Sequence, residues 1–497
     1  MMNSTLQKHN LVSLLEQCSS MREMKQIHAY AITTSLARFT FISSKLLAFC
    51  ALSPHADLRH AHTLFSRIPF PTLFHYNTII AAFSRRSSSL FLRMLNDTVR
   101  PNARTFTLLL SKASPSLSFI QQLHSLILRL GHLADPYVAT SLVAAYSNHA
   151  CTRAARRVFD ENPNQNVACC TSLLTGYCNN GLVNEARKAF DAIPDKNDVS
   201  YSAMVSGYVR NGFFREAIQL FRDLKKNCFA TVKPNNSLLA SVLGACAATG
   251  AFEEGKWIHS YVHRNGELEY HEVELGTALI DFYAKCGCVE PAERVFGKMK
   301  TKDVAAWSAM ILGLAINGKN RWALELFAEM EKVGPRPNGV TFIGVLTACN
   351  DKELFGRAVT LFQYMREKHG IAAWIEHYGC VVDVLARAGK IEEAVAFMSG
   401  MEMEADGALW GCLVNGCLMH GYVELGHRIG RYLVEFECEH SGRYVVLAKF
   451  YAGMGRWEAV IDTRNLMKHR AVPPLTASSF IEIHGSASSS EQLYIHC

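Results

Sequence analysis

Cysteine and histidine are the side chains of this sequence best suited to metal, redox or nucleophilic chemistry, and their spacing fits none of these. The 497 residues include 16 Cys, none in a C-x-x-C pair, and 20 His. A disulfide framework or a zinc ribbon needs regular pairs, so the cysteines are interpreted as small buried residues in a reducing compartment. Histidines such as His60 and His62 lack a fixed ligand spacing and are expected on the surface or in packing. We expect no catalytic residue, no metal and no cofactor.

Short polar residues are the second set that could do chemistry, in this case by hydrogen bonding. Asn follows Pro in three similar segments, Val99-Arg-Pro-Asn102, Val232-Lys-Pro-Asn235 and Pro335-Arg-Pro-Asn338. An Asn at such a place can cap the start of a helix, and its amide can also bond the edge of a base. The net charge of +7 suits an anionic partner, although many proteins with such an excess bind none.

The composition describes a folded chain. Hydrophobic residues make up 49% and charged residues 19% of the sequence, which is enough apolar material for a buried core. No run of about 18 uninterrupted apolar residues occurs, so we expect no membrane span. The start of the chain is polar, has no acidic residue and carries one Lys over Met1–Asn10. Residues 1–8 are therefore interpreted as a short candidate targeting segment.

An internal repeat dominates the chain. A five-residue step with Ala first and Phe last recurs at 155–159, 186–190, 217–221, 292–296, 323–327 and 358–362. One helical turn separates the two residues, so both lie on the same helix face. Successive steps are 31 residues apart from Ala155 to Ala217, and 31 and then 35 residues apart from Ala292 to Ala358. Another apolar run lies about 20 residues before each step, which gives two amphipathic segments in each unit.

Each unit is predicted to be a helix, a turn and a second helix. A Gly lies between the two apolar runs at Asn211-Gly212, Cys286-Gly287, Asn317-Gly318 and Ala388-Gly389, where it can close the first helix in a left-handed cap. The Pro of each Pro-Asn ending stops the second helix. Such hairpins cannot bury both faces alone and therefore stack. The predicted fold class is all-α, a right-handed α-solenoid (superhelix) of helix-turn-helix repeats with a concave groove.

The unit length, the Ala-to-Phe step and the Pro-Asn endings together resemble plant pentatricopeptide repeat (PPR) proteins of the PLS subfamily and E subgroup. The implied array of about twelve motifs covers 9–406. Its motifs are L 9–39, S 40–72, a shortened P 73–102, L 103–135, S 136–166, an S-like 167–197, P 198–235, L 236–272, S 273–303, P 304–338, 339–374 and 375–406.

The C-terminal part is similar to the last repeats and the E1 and E2 motifs of organellar RNA-editing factors. The residues that carry this resemblance are Ile375-Glu-His-Tyr-Gly-Cys380, Trp410-Gly-Cys-Leu413, Ser441-Gly-Arg-Tyr-Val-Val-Leu447 and Ser479-Phe-Ile-Glu-Ile483. It implies an E1 motif at 407–440, an E2 motif at 441–473 and a truncated tail at 474–497.

The resemblance also implies a function. In that family a DYW cytidine deaminase domain often follows, and its zinc site needs H-x-E and C-x-x-C, neither of which occurs here. We therefore expect a protein that is not an enzyme. It would bind single-stranded organellar RNA for C-to-U editing, recruit a DYW-type deaminase protein in trans and engage accessory organellar editing factors through its L motifs. The expected location is the mitochondrion, with the chloroplast as the alternative.

Recognition of one base per repeat needs a short polar side chain early in the first helix and a second at the junction with the next unit. In the family these are the fifth and last residues of each motif. Here they are the pairs Asn77/Asn102, Thr140/Asn166, Thr171/Asn197, Ser202/Asn235, Thr277/Asp303 and Ser308/Asn338, and in two L motifs Thr107/Asp135 and Ala240/Glu272. By family analogy Thr or Ser with Asn favours adenine, Thr with Asp guanine, and Asn with Asn a pyrimidine. Motifs 73–338 would then prefer Y-N-A-A-A-N-G-A, and the whole target would be Y-N-A-A-A-N-G-A-N-N-N-N-N-C.

Other interpretations stay open at this point. Each of these Asn, Ser and Thr side chains could serve only as a helix cap. The protein could instead support splicing or transcript stability, or be a protein-binding scaffold. Trp257, Trp307, Trp322 and Trp410 fall on apolar helical positions, for which core packing is expected and base stacking is the alternative. Lys225-Lys226 and Arg85-Arg86 could contact phosphate or lie on a solvated face.

Overall fold

The computed structural model describes residues 11–83, 86–112, 116–227, 232–264, 273–350 and 355–472, and over these ranges its regular structure is helical without a strand. This confirms the all-α class. No helix in those ranges is long and apolar enough to cross a membrane. The predicted segment 1–8, Arg85, Glu272, Ser479–Ile483 and the tail 474–497 lie outside the described residues.

The chain forms two compact units, Met1–Asn211 and Gly212–Cys497. Unit 1 contains α1 (11–17), α2 (Met21–Thr33), α3 (Thr40–Leu52), α4 (Leu58–Ser66), α5 (Leu73–Ala82), α6 (Ser87–Asn96), α7 (Ala103–Lys112), α8 (Leu117–Arg129), α9 (Pro136–Asn148), α10 (Thr152–Glu161), α11 (Val167–Asn179), α12 (Val183–Asp191) and α13 (Asp198–Arg210). Unit 2 contains α14 (Phe214–Asn227), α15 (Asn236–Thr249), α16 (Phe252–Arg264), α17 (Val273–Lys285), α18 (Val289–Lys298), α19 (Val304–Ile316), α20 (Asn320–Val333), α21 (Gly339–Ala348), α22 (Ala358–Glu367), α23 (Ile375–Arg387), α24 (Ile391–Ser399), α25 (Gly407–His420), α26 (Val423–Phe436), α27 (Ser441–Gly453) and α28 (Trp457–His469).

Within each unit the odd-numbered helices form one row, here called the inner row, in which each helix contacts the next. It runs from α3 to α13 in unit 1 and from α15 to α27 in unit 2. The even-numbered helices pack against neighbouring members of that row. This is the stacking that the repeat pattern predicts for an α-solenoid.

The Ala-to-Phe step is explained by packing onto the next inner helix. All six Ala of the steps are fully buried. Phe190 lies 5.2 Å from Tyr201 between ring centroids, and Phe296 lies 5.1 Å from Trp307, in both cases edge to face. Such aromatic pairs add about 0.5–1.5 kcal/mol to the burial of their apolar surface. At these two hairpins the step therefore closes the hairpin against the inner helix that follows it.

The Asn-Gly turns tie neighbouring inner helices together at their C-terminal ends. Gly318 has φ +72°, the left-handed conformation that favours glycine. The preceding Asn317 donates its Nδ2 to Gly313 O on its own helix and to Ala284 O on the inner helix before it, both at 2.8 Å. This pair of hydrogen bonds to helix-end carbonyls is possible because the two helices are close. A Cβ on Gly313 would lie 2.6 Å from Ala284 Cβ. The same pair of hydrogen bonds recurs at Asn180 and Asn211.

Candidate nucleic-acid interface

The predicted last-position residues form a series of helix caps. An Oδ1 atom accepts the backbone N–H three residues later at 2.8–3.0 Å in Asn102, Asn166, Asn197, Asn235, Asp303 and Asn338. The capping interpretation is therefore correct, and it uses the side-chain oxygen. Over the described ranges, the Nδ2 groups of Asn166, Asn197 and Asn338 donate to no protein acceptor, and these three side chains are exposed. Capping and ligand binding can therefore use different atoms of the same side chain.

Three of the predicted fifth-position hydroxyls are oriented by their own helix. Thr140, Thr171 and Ser202 each donate to the carbonyl four residues back at 2.7 Å. Because the hydroxyl hydrogen is used, the oxygen can take part in a further hydrogen bond only as an acceptor. The buried hydroxyl of Thr277 has no hydrogen-bond partner among the described residues.

The other two fifth-position residues, Asn77 and Ser308, are held by a threonine of the next motif. Thr105 Oγ1 donates to Asn77 Oδ1 at 2.8 Å, and Thr341 Oγ1 lies 2.7 Å from Ser308 Oγ. Ser308 is 1% exposed, so its side chain is not available for direct contact with a ligand. Sequence reasoning missed both threonines, although the signal was present as Pro-Asn-x-x-Thr at 101–105 and 337–341.

The six predicted pairs differ in how the structure joins them. Asn77 Nδ2 donates to Asn102 Oδ1 at 3.3 Å, and Ser308 reaches Asn338 through Thr341, whose Oγ1 lies 3.1 Å from Asn338 Oδ1. The pairs Thr140/Asn166, Thr171/Asn197 and Thr277/Asp303 lie at the starts of adjacent inner helices. Ser202 belongs to unit 1 and Asn235 to unit 2.

The L-motif residues are less suited to base recognition. Thr107 Oγ1 donates to Arg104 O at 2.9 Å. Asp135 caps α9 by accepting the backbone N–H groups of Tyr137 and Val138 at 3.0 and 3.1 Å. Ala240 is half-buried on α15, and it offers no polar atom. Asp135 alone resembles the caps of the other motifs.

Burial shifts the pKa of two cysteines and of one lysine of the exposed pair Lys225-Lys226. Burial raises the pKa of Cys246 to about 12 and that of Cys178 to about 11, so both stay protonated near neutral pH. No group of three His, Cys, Asp or Glu within the described ranges could hold a metal ion. Lys225 Nζ lies 3.8 Å from the Trp257 ring centroid, and burial lowers the pKa of this lysine. Its contact with Trp257 favours packing over phosphate binding.

The tryptophans divide between the core and the surface. Trp307 is 6% exposed, as expected for core packing, whereas Trp322 is 44% exposed. The core prediction is therefore wrong for Trp322. The buried face of α20 is formed by Ala323, Leu326, Phe327 and Met330, and Trp322 lies beside that stripe.

The start of α25 is covered by an ion pair. Glu437 Oε1 accepts the N–H of Gly407 at 3.0 Å, and Arg443 is paired with the other oxygen of the same carboxylate. The side chains of Arg443 and Glu437 are 15% and 25% exposed. Burial acts to raise the pKa of Glu437, but hydrogen bonding and charge from Arg443 and the Gly407 N–H outweigh it, so the pKa is lowered. This junction offers a ligand no exposed amide.

Family models match much of the chain. A model described as "PPR repeat" matches residues 168–197, 199–229, 277–304 and 376–404, and one described as "PPR repeat family" matches 302–351. A model described as "E motif" matches 420–481.

Individual relatives are similar over nearly the whole chain. The Arabidopsis thaliana pentatricopeptide repeat-containing protein At5g66520 is 43% identical, over 96% of this chain and 78% of its own length. The protein ELI1, chloroplastic, of the same plant is 41% identical over 95% of this chain and 75% of its own length. Among solved structures, the pentatricopeptide repeat protein PPR10 from maize superposes with a TM-score of 0.50 at 14% identity, covering 93% of this chain and 78% of that chain. That similarity confirms the right-handed α-solenoid class.

Proposed function

This chain belongs to the pentatricopeptide repeat family, and from that premise we propose that it is a sequence-specific single-stranded RNA-binding protein. The observation that carries the proposal is the regular placement of an exposed side-chain amide at helix starts, in Asn166, Asn197 and Asn338. A protein-binding groove has no need of one short polar residue at the same place in successive repeats. Recognition of one base per repeat does need such a residue.

The caps explain how Asn and Asp would select different bases. When Asn338 Oδ1 caps α21, its Nδ2 is the group that faces the ligand, and it can only donate. When Asp303 Oδ1 caps α19, its second carboxylate oxygen faces the ligand, and it can only accept. The Watson–Crick edge of adenine presents an acceptor at N1, whereas guanine presents donors at N1 and N2. Beside a Thr or Ser at the fifth position, an Asn cap therefore favours adenine and an Asp cap guanine, which supports the A and G positions of Y-N-A-A-A-N-G-A.

We further propose that the protein selects a site for C-to-U editing of an organellar transcript. The match of the "E motif" model to residues 420–481 supports this role. In this mechanism the array positions one cytidine, a DYW-type deaminase protein acts in trans, and accessory organellar editing factors bind the L motifs. The proposed location is the mitochondrion, with the chloroplast as the alternative in view of relatives whose names include "chloroplastic".

A gel-shift titration tests RNA recognition. One RNA carries Y-N-A-A-A-N-G-A, and a second carries the same sequence with A and G exchanged, both at one stated salt concentration because phosphate contacts depend on salt. We expect the first RNA to bind at least tenfold more tightly, about 1.4 kcal/mol. Equal and weak binding of both would contradict the proposal and favour a protein ligand.

Transcript analysis in a plant line that lacks the protein tests the editing role. We expect the loss of editing at a cytidine that follows the target Y-N-A-A-A-N-G-A-N-N-N-N-N-C. Intact editing together with altered splicing or transcript abundance would overturn the editing role while leaving RNA binding in place.

A further inference from the structure

One inner helix of unit 2 begins with an aromatic residue where its neighbours begin with a short polar one. The N-cap residues of α19, α21, α23 and α25 are Asp303, Asn338, Trp374 and Asp406. The three polar residues cap their helices with a side-chain oxygen. An indole has only a donor and cannot do this, so Trp374 holds its place by other contacts.

A buried histidine fixes the backbone of Trp374. His377 is fully buried, and its Nδ1 accepts the backbone N–H of Trp374 at 2.9 Å. Its Nε2 donates to Gly339 O at 2.8 Å. His377 therefore bridges the start of α23 to the start of α21, directly after Asn338. Trp374 is thus held next to the last base-contacting cap of the array.

The indole itself rests on a glycine and leaves much of its surface exposed. A Cβ on Gly339 would lie 2.8 Å from Cη2 of Trp374 and 3.0 Å from Cζ2 and Cζ3, so the six-membered ring lies against the Gly339 backbone. The His377 ring is 5.2 Å away between centroids. Even so, Trp374 is 45% exposed. A large ring that is held in one orientation loses little side-chain entropy when a ligand covers it.

We propose that Trp374 is a stacking platform for the nucleobase aligned with motif 339–374, the ninth nucleotide of Y-N-A-A-A-N-G-A-N. The inference rests on the proposed RNA-binding function and adds to it a contact that the hydrogen-bonding pairs do not supply. Every base has a face that can stack on an aromatic ring, so the contact accepts any base. Purines bury more surface and are favoured. Trp374 therefore extends the bound RNA by one nucleotide towards the E region.

Affinities for two RNAs test the platform. Both carry Y-N-A-A-A-N-G-A, followed by adenine in one and by an abasic nucleotide in the other. We expect Trp374→Ala to weaken binding of the adenine RNA about tenfold and to leave the abasic RNA within about twofold, since stacking on one base has about this strength. Trp374→Phe should retain most of the affinity. The matched control is Trp322→Ala, which removes an equally exposed Trp from α20 and should change neither affinity.

A second variant displaces the ring without removing it. Gly339→Ala places a methyl group against the far edge of the indole, at the first residue of a helix where Ala is well tolerated. We expect a smaller loss on the adenine RNA than in Trp374→Ala, with a slightly lowered thermal midpoint, because the ring must shift away from the new methyl group. With 2-aminopurine as the ninth nucleotide, the wild-type protein should quench its fluorescence and Trp374→Ala should not.

The outcomes separate this inference from the proposed function. If the wild-type protein does not discriminate Y-N-A-A-A-N-G-A from its exchanged form, the RNA-binding proposal fails and this inference fails with it. If discrimination holds but Trp374→Ala binds both test RNAs as the wild type does, only the platform is overturned. Equal losses on the adenine and abasic RNAs would also overturn it, because they would indicate a structural role.

Discussion

The N-terminal starts of α21 and α25 have the same type of helix cap but different surfaces. At α21, Asn338 caps the helix, its Oδ1 accepts the N–H of Thr341 at 3.0 Å, and its amide nitrogen is exposed. At α25, Asp406 caps the helix in the same way, but the next residue, Gly407, donates its N–H to Glu437. Arg443 then covers the glycine, because a Cβ at Gly407 would lie 2.3 Å from its Nε.

The two helices pack equally closely on the inner helix before them. A Cβ on Gly344 in α21 would lie 2.9 Å from the backbone N of Leu312 in α19, and a Cβ on Gly416 in α25 would lie 2.6 Å from Ala386 Cβ in α23. The inner row thus continues from the repeats into the E region with the same close contact between helices. What changes is the surface at the helix starts, from an exposed neutral amide to a covered ion pair. The packing of the inner row and the surface at its helix starts therefore vary independently in this chain.

The largest effect is expected from exchanging a cap in the array. Asn338→Asp replaces the exposed donor with an acceptor while keeping the oxygen that caps α21. We expect the preference at the eighth nucleotide to change from adenine, about tenfold, to guanine, also about tenfold, within the range of such hydrogen-bond differences. Competition gel shifts with A or G at that nucleotide measure it. The reverse exchange at the covered start, Asp406→Asn, is the matched control and should alter neither affinity by more than about twofold.

A smaller effect is expected from uncovering α25. Arg443→Ala leaves the carboxylate of Glu437 half-buried without its cation, which should cost about 1–2 kcal/mol, below the range for fully buried pairs because both side chains keep some exposure. Thermal melting and amide exchange in 407–453 would report the loss, and RNA affinity should stay unchanged. Arg366→Ala is the matched control, since its ion pair with Glu402 is exposed and should contribute less than about 0.5 kcal/mol. A tenfold loss of RNA affinity in Arg443→Ala would show that the two helix starts are not separate in function.

The sequence predicts local features of this fold better than contacts between repeats. Gly318, the buried Ala of each step and the capping Asn338 follow from helix geometry within one unit. The second bond of Asn317, to Ala284 O in the helix before, and the Thr341 contact to Ser308 depend on how closely two repeats approach. The distance between neighbouring inner helices is set by pairs of small residues on different helices. It cannot be predicted from the sequence of one unit alone. The exposed ring of Trp374 was missed for a related reason, because its support comes from Gly339 at the start of the preceding inner helix.

The smallest effect is a pH dependence at the boundary between these two regions. Burial lowers the pKa of His377, although its bond to Gly339 O and the nearby Glu376 act in the opposite direction. The unfolded chain, with a histidine pKa of about 6.5, then binds the proton more readily than the folded chain. The contribution of His377 to stability is therefore present above about pH 6.5 and is lost as the pH falls below it.

His377→Gln keeps an acceptor at the third helix position and does not titrate. Between pH 7 and pH 5.5 the thermal midpoint should fall less in this variant than in the wild type, by on the order of 1 °C. Part of the fall in the thermal midpoint with decreasing pH should remain in the variant, because burial also lowers the pKa of His75 and His124. Identical falls of the thermal midpoint in the two proteins would contradict this prediction, because they would mean that protonation of His377 contributes nothing to the loss of stability.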